Sequence, residues 1–471
     1  MVFSSVPFLF FFFAVILLLY WVLRKNTMRN VLLLVASLLF YAWGEPIYIL
    51  LLIASVFVNW LIALFMVKQP RCDKLWVAVA VVLNIALLVI FKYSGFLVES
   101  INTVLSLQLP VPQIRLPIGI SFFTFQALSY VIDVYRYRKN VQHNFFYLLL
   151  YVSFFPQLIA GPIVKYHDIS QQLKERAFTI DGFTFGMRRF LYGLGKKVLL
   201  SNTLAIVADT AFSTDTALLT TPLAWLAALA YMLQIYYDFS GYSDMAIGLG
   251  HIFGFDFKEN FDYPYAARGI KLFWRRWHIS LSTWFKEYLY IPLGGNRKGK
   301  ARALCNQLIV FAATGLWHGA NVTFLLWGLF HGLFLILESS QIIPINRVVK
   351  NPVGKAFIHV YTWFIVLIGF TLFRADSVSY ALSFFKVMFA GGAAVNASLW
   401  AQFTPWFVFV MFVSVVFAFP IFPMLREKLC ANTRVKPVYT AISYAFSFVL
   451  LLLCMGALAA NTYNPFIYFR F

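Results

Sequence analysis

Acidic side chains are scarce in this chain. Asp and Glu number 18 against 38 Lys and Arg in 471 residues, for a formal net charge of +20, and the charged types together reach only 12%. A soluble domain carries roughly a quarter charged residues, so a surface bathed in water is excluded. Polar linkers, low-complexity segments and internal repeats are missing too, which leaves one continuous membrane domain, 1–471, as the simplest organisation. Cysteine is nearly absent: Cys72, Cys305, Cys430 and Cys454 stand singly, without CxxC or Cys/His spacing, and indicate neither a disulfide framework nor a metal site. The chain also lacks a GxSxG elbow, an HExxH zinc pair and a P-loop, removing three common catalytic systems.

What is present is hydrophobic sequence. It makes up 61% of the residues, and the mean hydropathy is +0.78. Runs long enough to cross the hydrocarbon core lie near 6–23, 30–43, 46–67, 75–93, 144–160, 190–208, 223–237, 304–320, 322–338, 356–373, 404–425 and 438–460. Some are short or polar, so the expectation is an all-α polytopic protein of about 11 transmembrane helices. The first run has no charge before it, and Arg24, Lys25 and Arg29 follow it. That polarity is the reverse of a cleavable signal. Positive loops stay inside, so the N-terminus is predicted outside; Lys68, Arg71 and Lys74, then Arg136, Arg138 and Lys139, agree.

The excess cations sit in short loops: 165–176, 188–197, 268–276 and 297–302. They suit topology and attraction to anionic membrane lipids, or contact with a phosphorylated substrate. A nucleic-acid partner is not expected, because no basic stripe forms on a soluble fold. Texture also changes along the chain. Residues 1 to 110 are plain apolar hairpins, and plain spans resume after 356. From 115 to 335 polar and glycine-containing stretches interrupt the apolar runs. Irregular backbone at membrane depth survives only inside protein or beside a cavity, so the central zone is expected to hold the working parts.

Two histidines stand out there. His278 lies in FWRRWHISLSTW, 273–284, and His318 in GLWHGAN, 315–321. An ionisable group at bilayer depth is costly unless paired or wet, and imidazole passes protons near neutral pH. The first motif reads as a helix with Trp274, Trp277, His278 and Leu281 on one face; its tryptophans and arginines also suit interfacial anchoring, while a satisfied structural histidine is the alternative reading of His278. Beside His318, Gly315, Gly319 and Ala320 suit helix packing or close approach of a thin substrate. Trp317 adjoins it, and Asn321 could orient the imidazole or a carbonyl. His331 lies three to four turns along the next run and reads as structural. Upstream, the segment 234–244 sets Tyr237, Asp238, Ser240 and Asp244 in apolar sequence. Either a structural network, with a hydrated wall or a helix break at Gly241, or a carboxylate orienting an imidazole would explain it. The segments 116–126 and 155–162 have the same broken character and read as cavity scaffold. The chemistry that fits is group transfer to a hydroxyl, a histidine taking its proton during attack on an activated acyl carbonyl.

These motifs, with YDFSGYSDMAIG (237–248), LPIGIS (116–121), PQLIAGP (156–162), LGGNR (293–297) and the opening MVFSS, resemble the membrane-bound O-acyltransferases. The closer likeness is to the branch that O-acetylates bacterial exopolysaccharides such as alginate. The resemblance implies a fold of about 11 helices with short interfacial helices around a central tunnel, in the cytoplasmic (inner) membrane. It implies His318 as the catalytic histidine, His278 as its support, and acetyl-CoA as donor. It further implies passage of the acetyl group to a periplasmic or surface acetyltransferase working with polysaccharide synthesis and export machinery. The tail 464–471 reads as an aromatic interfacial anchor. Residues 465–469 also resemble a terminal motif of acyl-export systems, which implies Tyr468 as an acyl relay. Transfer of D-alanine to teichoic acid, or a non-catalytic export conduit with a His/Asp proton relay, are the competing readings.

Overall fold

The computed structural model describes residues 1–392, 401–460, 463–465 and 467. Every regular element among them is helical. Seven helices are long and apolar enough to cross a bilayer, and a bent pair, Pro405–Phe417 with Ile421–Cys430 at 60°, raises this to eight. The expected count near eleven is not matched, for local reasons. The run at 144–160 divides into Phe145–Ser153 and Phe155–Leu158, the second opening with Pro156 in its first turn, where a missing N–H is harmless. The first run yields only the shorter Phe8–Val22. The run at 304–320 forms a helix whose first turn carries Lys300 and Arg302. Apolar side chains such as Leu18, Trp21, Val22, Trp43 and Leu50 are widely exposed on the helices, a surface that only lipid tolerates. The chain is a multi-pass membrane protein.

The described residues form two compact units. The first comprises Met1–Phe190 and Met245–Lys258. It contains α1 (Asn26–Gly44), α2 (Tyr48–Lys68), α3 (Asp73–Leu88), α4 (Ile120–Arg136) and α5 (Tyr166–Lys174). Phe3, Phe8, Phe40 and Phe155 are buried together, with ring centroids 5.0 to 6.5 Å apart. Polar side chains at depth bind one another. Asn59 of α2 and Asn84 of α3 exchange amide hydrogen bonds of 3.3 and 2.8 Å, a contact that joins helices where lipid offers no hydrophobic drive. Arg176 donates to Asn30 Oδ1 (2.7 Å), Tyr20 Oη (3.1 Å) and the Phe253 carbonyl (3.1 Å).

One tie in this unit titrates. His167 on α5 meets the buried Asp133 carboxylate of α4 at 2.8 Å. That hydrogen bond raises the imidazolium pKa above the ordinary histidine value, helped by the charges of Asp133 and Asp168 and opposed by burial and Lys165. The stabilisation is therefore complete below the unfolded value, about 6.5, and is lost as pH rises through the raised folded value. Its size is modest, because His167 is partly exposed. The melting temperature of the purified protein should fall as pH rises from about 6.5 through the raised folded value, and His167→Gln should shrink that fall. An identical pH response in the variant would show that the tie contributes nothing.

The second unit comprises Leu191–Asp244 and Glu259–Phe471. Its frame is the helix α6 (Thr221–Ile252), of which residues to Asp244 belong here. This helix runs unbroken for 32 residues, so the break considered at Gly241 does not occur. Gly241 instead admits a neighbouring backbone: a Cβ there would lie 2.8 Å from the Gly193 carbonyl oxygen. Next come α7 (Ile270–Arg276), α8 (Ile279–Phe285), α9 (Lys300–His318), α10 (Val322–Ser339) and α11 (Pro352–Arg374). The hairpin of α9 and α10 closes on small residues. A Cβ at Gly315 would collide with the Phe324 carbonyl, and one at Gly328 with that of Phe311. Close backbones of this kind are how helices pack in membranes, and the hairpin fixes the end of α9, where His318 sits.

The segment expected to be one helix over 273–284 is two. α7 stops at Arg276, and His278 takes φ 45°, ψ 56°, the left-handed region, before α8 begins at Ile279. A β-carbon makes that conformation unfavourable, by about 1 to 3 kcal/mol in strained sites. The common face of Trp274, Trp277, His278 and Leu281 is thereby cancelled, and His278 is turned away from the helix that precedes it.

Candidate functional site

His318, the last residue of α9, is buried among aromatic rings. Its imidazole lies edge-on to Trp317 (4.9 Å between centroids), Trp327 (5.2 Å) and Phe373 (5.2 Å). His318, Trp327 and Phe373 help line a chamber completed by Ile235, Phe239, Trp277, Phe370 and Ile467. Its volume is about 20 Å³, room for roughly one water molecule. His318 is the one ionisable side chain in that lining. A hydroxyl admitted there would meet a base and otherwise apolar walls.

His278 is nearby. It stands 6.1 Å from Trp317 and edge-on to Phe239 at 4.5 Å, so Trp317 touches both imidazoles and Phe239 joins His278 to the chamber. The residue that holds His278 in its left-handed turn is Asn260, which is fully buried. Its backbone carbonyl accepts from Ile279 N–H (2.9 Å), and its Oδ1 accepts from Ser280 N–H (3.2 Å) and Ser280 Oγ (2.9 Å). The same Oδ1 lies 3.2 Å from His278 Nδ1, while Asn260 Nδ2 donates to Ser243 Oγ at 3.0 Å. With Nδ2 committed to Ser243, Oδ1 acts as acceptor, so Nδ1 carries the imidazole proton and Nε2 keeps its lone pair. That Nε2 is buried and meets no hydrogen-bond partner among the described residues. Asn260 escaped the sequence reading; its signal was the polar run 256–262 inside an apolar chain.

The other expected residues divide. Trp317 lies at the site. Asp238 lies one contact away: it pairs with Lys197 and accepts the N–H of Ile467, a chamber residue, at 2.9 Å. Asp244 pairs with Lys196 at 2.6 Å, and it is Asn260 that meets the imidazole of His278. Ser240 is buried on α6, and Tyr237 donates to the Ser414 carbonyl at 2.6 Å. Asn321 caps α10, accepting from Thr323 N–H at 3.0 Å, and donates to the Asp376 carbonyl at 2.9 Å. Its amide thus serves the hairpin. His331 is wholly buried between Trp274 and Trp327 and presses on Gly369. Tyr468 lies outside the described residues. Among the described residues, no group of three His, Cys, Asp or Glu could hold a metal ion.

A family model for the membrane-bound O-acyltransferases matches residues 131–379, just over half of the chain, including both His278 and His318. The chain belongs to this family. A probable alginate O-acetylase of Pseudomonas putida is 39% identical over the full length of both chains. One from Pseudomonas aeruginosa is 43% identical over 83% of this chain and 75% of its own. A peptidoglycan O-acetyltransferase of Helicobacter pylori is 37% identical over 82% of this chain and 80% of its own.

The grip of Asn260 on His278 makes a specific expectation. Asn260→Ala should lower acyl transfer on the order of 100-fold, the usual cost of a misplaced polar group. Adding the same change to a His278→Ala variant should cost little more, because both remove one unit. Measured rates for the two single variants and the double variant decide it, and simple multiplication of the two losses would refute the coupling.

Proposed function

We propose that this protein is an O-acetyltransferase that takes an acetyl group from a cytoplasmic thioester, acetyl-CoA, and delivers it across the membrane for O-acetylation of an exopolysaccharide such as alginate. The observation that carries this reading is the chamber: a buried histidine at a helix end, walled by aromatic side chains, with a second, oriented histidine beside it. The names of the most similar relatives favour acetyl over D-alanyl transfer.

In the proposed step the acceptor hydroxyl enters against His318. Its oxygen bonds to the thioester carbonyl carbon as the imidazole takes its proton. The tetrahedral adduct collapses, the carbon–sulfur bond breaks, and the departing thiolate recovers the proton from the imidazolium. No net proton is left in the membrane. His278, with Nδ1 spoken for by Asn260, offers a lone pair that can accept a hydrogen bond from an entering hydroxyl or water. The aromatic walls keep bulk water, the competing acceptor, away from the thioester.

A chamber of about 20 Å³ is too small for an acetyl thioester and an acceptor together, so turnover requires a lining element to move. The tail is our candidate. Ile467 is a chamber residue, and Tyr468 follows it. We read Tyr468 as the first acceptor: its hydroxyl becomes an acetyl ester, which is then passed to a periplasmic or surface acetyltransferase in the polysaccharide machinery. This reading sets the chain in the bacterial inner membrane with its N-terminus outside.

Two measurements test the proposal. His318→Ala should abolish acetylation, a loss of at least 100- to 10,000-fold for a removed general base, with unchanged protein in the membrane fraction. Retained activity would end the assignment, and a passive conduit would be favoured if transfer also survived loss of His278. Tyr468→Phe should stop polymer acetylation while leaving the binding of acetyl-CoA intact; wild-type acetylation in that variant would rule out the relay.

A further inference from the structure

Lys197 and Asp238 form an ion pair in which both side chains are almost fully buried. Each partner also bonds to the tail. Lys197 Nζ donates to the Pro465 carbonyl, and Asp238 Oδ2 accepts the Ile467 N–H at 2.9 Å. The pair therefore grips backbone at two points, a carbonyl and the N–H two residues on. Proline supplies no N–H, so at 465 only the carbonyl is available. Two further contacts fix the approach. Asn202 Nδ2 donates to Asn464 Oδ1 at 3.1 Å, and Tyr463 Oη donates to Asp209 Oδ2 at 2.5 Å. Asp209 is itself paired with Arg374 at 3.1 Å. Beyond the clamp, Ile467 is buried in the chamber beside His318.

A buried ion pair is weak evidence for stability, since apolar residues of the same volume often do as well. Intramembrane charges are therefore read first for what else they do. Here the second partner of each charge is main chain from a segment more than 220 residues away. Main-chain contacts fix position and register without constraining side-chain identity. The local backbone prepares the contact as well. Lys196–Ser201 forms one wide helical turn, a distortion common at functional sites, and it directs Lys196 to Asp244 and Lys197 to Asp238.

We infer that Lys197 and Asp238 are positioning residues for acyl transfer: a main-chain clamp that holds this chain's own tail at 465 and 467, so that Ile467 closes the chamber and the residue that follows is delivered for transfer. The inference deepens the tail-relay reading above and rests on it for the identity of the delivered group. The clamp itself rests on the contacts of 465 and 467 alone.

The test uses the full-length protein in detergent, with Cys72, Cys305, Cys430 and Cys454 replaced by serine or alanine and Ile467→Cys as a reporter. The Lys197→Met/Asp238→Leu double variant removes both charges together and leaves no lone buried ion. The expected result is labelling of the reporter by N-ethylmaleimide at least tenfold faster than with the clamp intact. In the chain with Ile467 restored, kcat for acetyl transfer from acetyl-CoA should drop at least tenfold with KM for acetyl-CoA unchanged, a split that general unfolding would not give. Should that variant fail to fold, Lys197→Gln/Asp238→Asn keeps a donor and an acceptor and is expected to show the same two changes at smaller size. Unchanged labelling would overturn the clamp, and faster labelling with unchanged kcat would overturn its role in transfer. A wild-type rate for Tyr468→Phe alongside a released tail and lost kcat would retire the relay and leave the clamp standing, the tail then acting through Ile467 in the chamber.

Discussion

A polar group carried to the depth of a bilayer must find its hydrogen-bond partner within the protein, because lipid supplies none. That constraint orders this molecule. In the first unit it joins Asn59 to Asn84 and brings three partners to Arg176. In the second it gives Asn260 four contacts, to Ser243, His278, Ile279 and Ser280. The contacts of Asn260 offset the strain of the left-handed turn at His278. Each main-chain or charge-free bond is worth about 1 kcal/mol net, so three or four are of the same size as the 1 to 3 kcal/mol of strain. Removing one amide would then release both the turn and the ring.

The surroundings of His318 follow a different rule. Aromatic contacts dominate there, each pair worth roughly 0.5 to 1.5 kcal/mol beyond its buried area, and Trp327 takes part in several at once, with His318, Phe373, His331 and Trp274. A wall of that kind is stiff. It fixes the imidazole through ring packing on several sides. The glycines of the α9–α10 hairpin serve the same end, for the backbone approach at Gly315 and Gly328 sets how near the end of α9 comes to Trp327. Rigid walls and a chamber of about 20 Å³ confine motion to the parts held by few contacts.

Much of this was legible in the sequence. Scarce charge and long apolar runs announce a membrane protein, and the two histidine motifs single out His278 and His318. The geometry between them was not legible. Helical periodicity put Trp274, Trp277 and His278 on one face, yet the turn at His278 depends on Asn260, 18 residues upstream, and no local pattern encodes a tertiary partner. The carboxylates were read as either a structural network or a means of orienting an imidazole, as aspartate does in other active sites. They pair with Lys196 and Lys197, which had been counted with the topology-setting cations. The clue was there: two lysines stand inside the apolar run 190–208, where a topology signal would have stood outside it.

The placement of those lysines also explains why α6 carries carboxylates at both 238 and 244. Positions six apart on a helix differ by roughly 120° in direction, so the two acids cannot serve one site. Asp244 faces Lys196, which is partly exposed, whereas Asp238 faces Lys197, which is not. Removing one partner of the buried pair would leave a lone charge at a cost of about 3 to 5 kcal/mol, while the outer pair should be far cheaper to break. The same helix therefore carries a dispensable tie and an indispensable one. The indispensable one also holds the segment that carries Ile467.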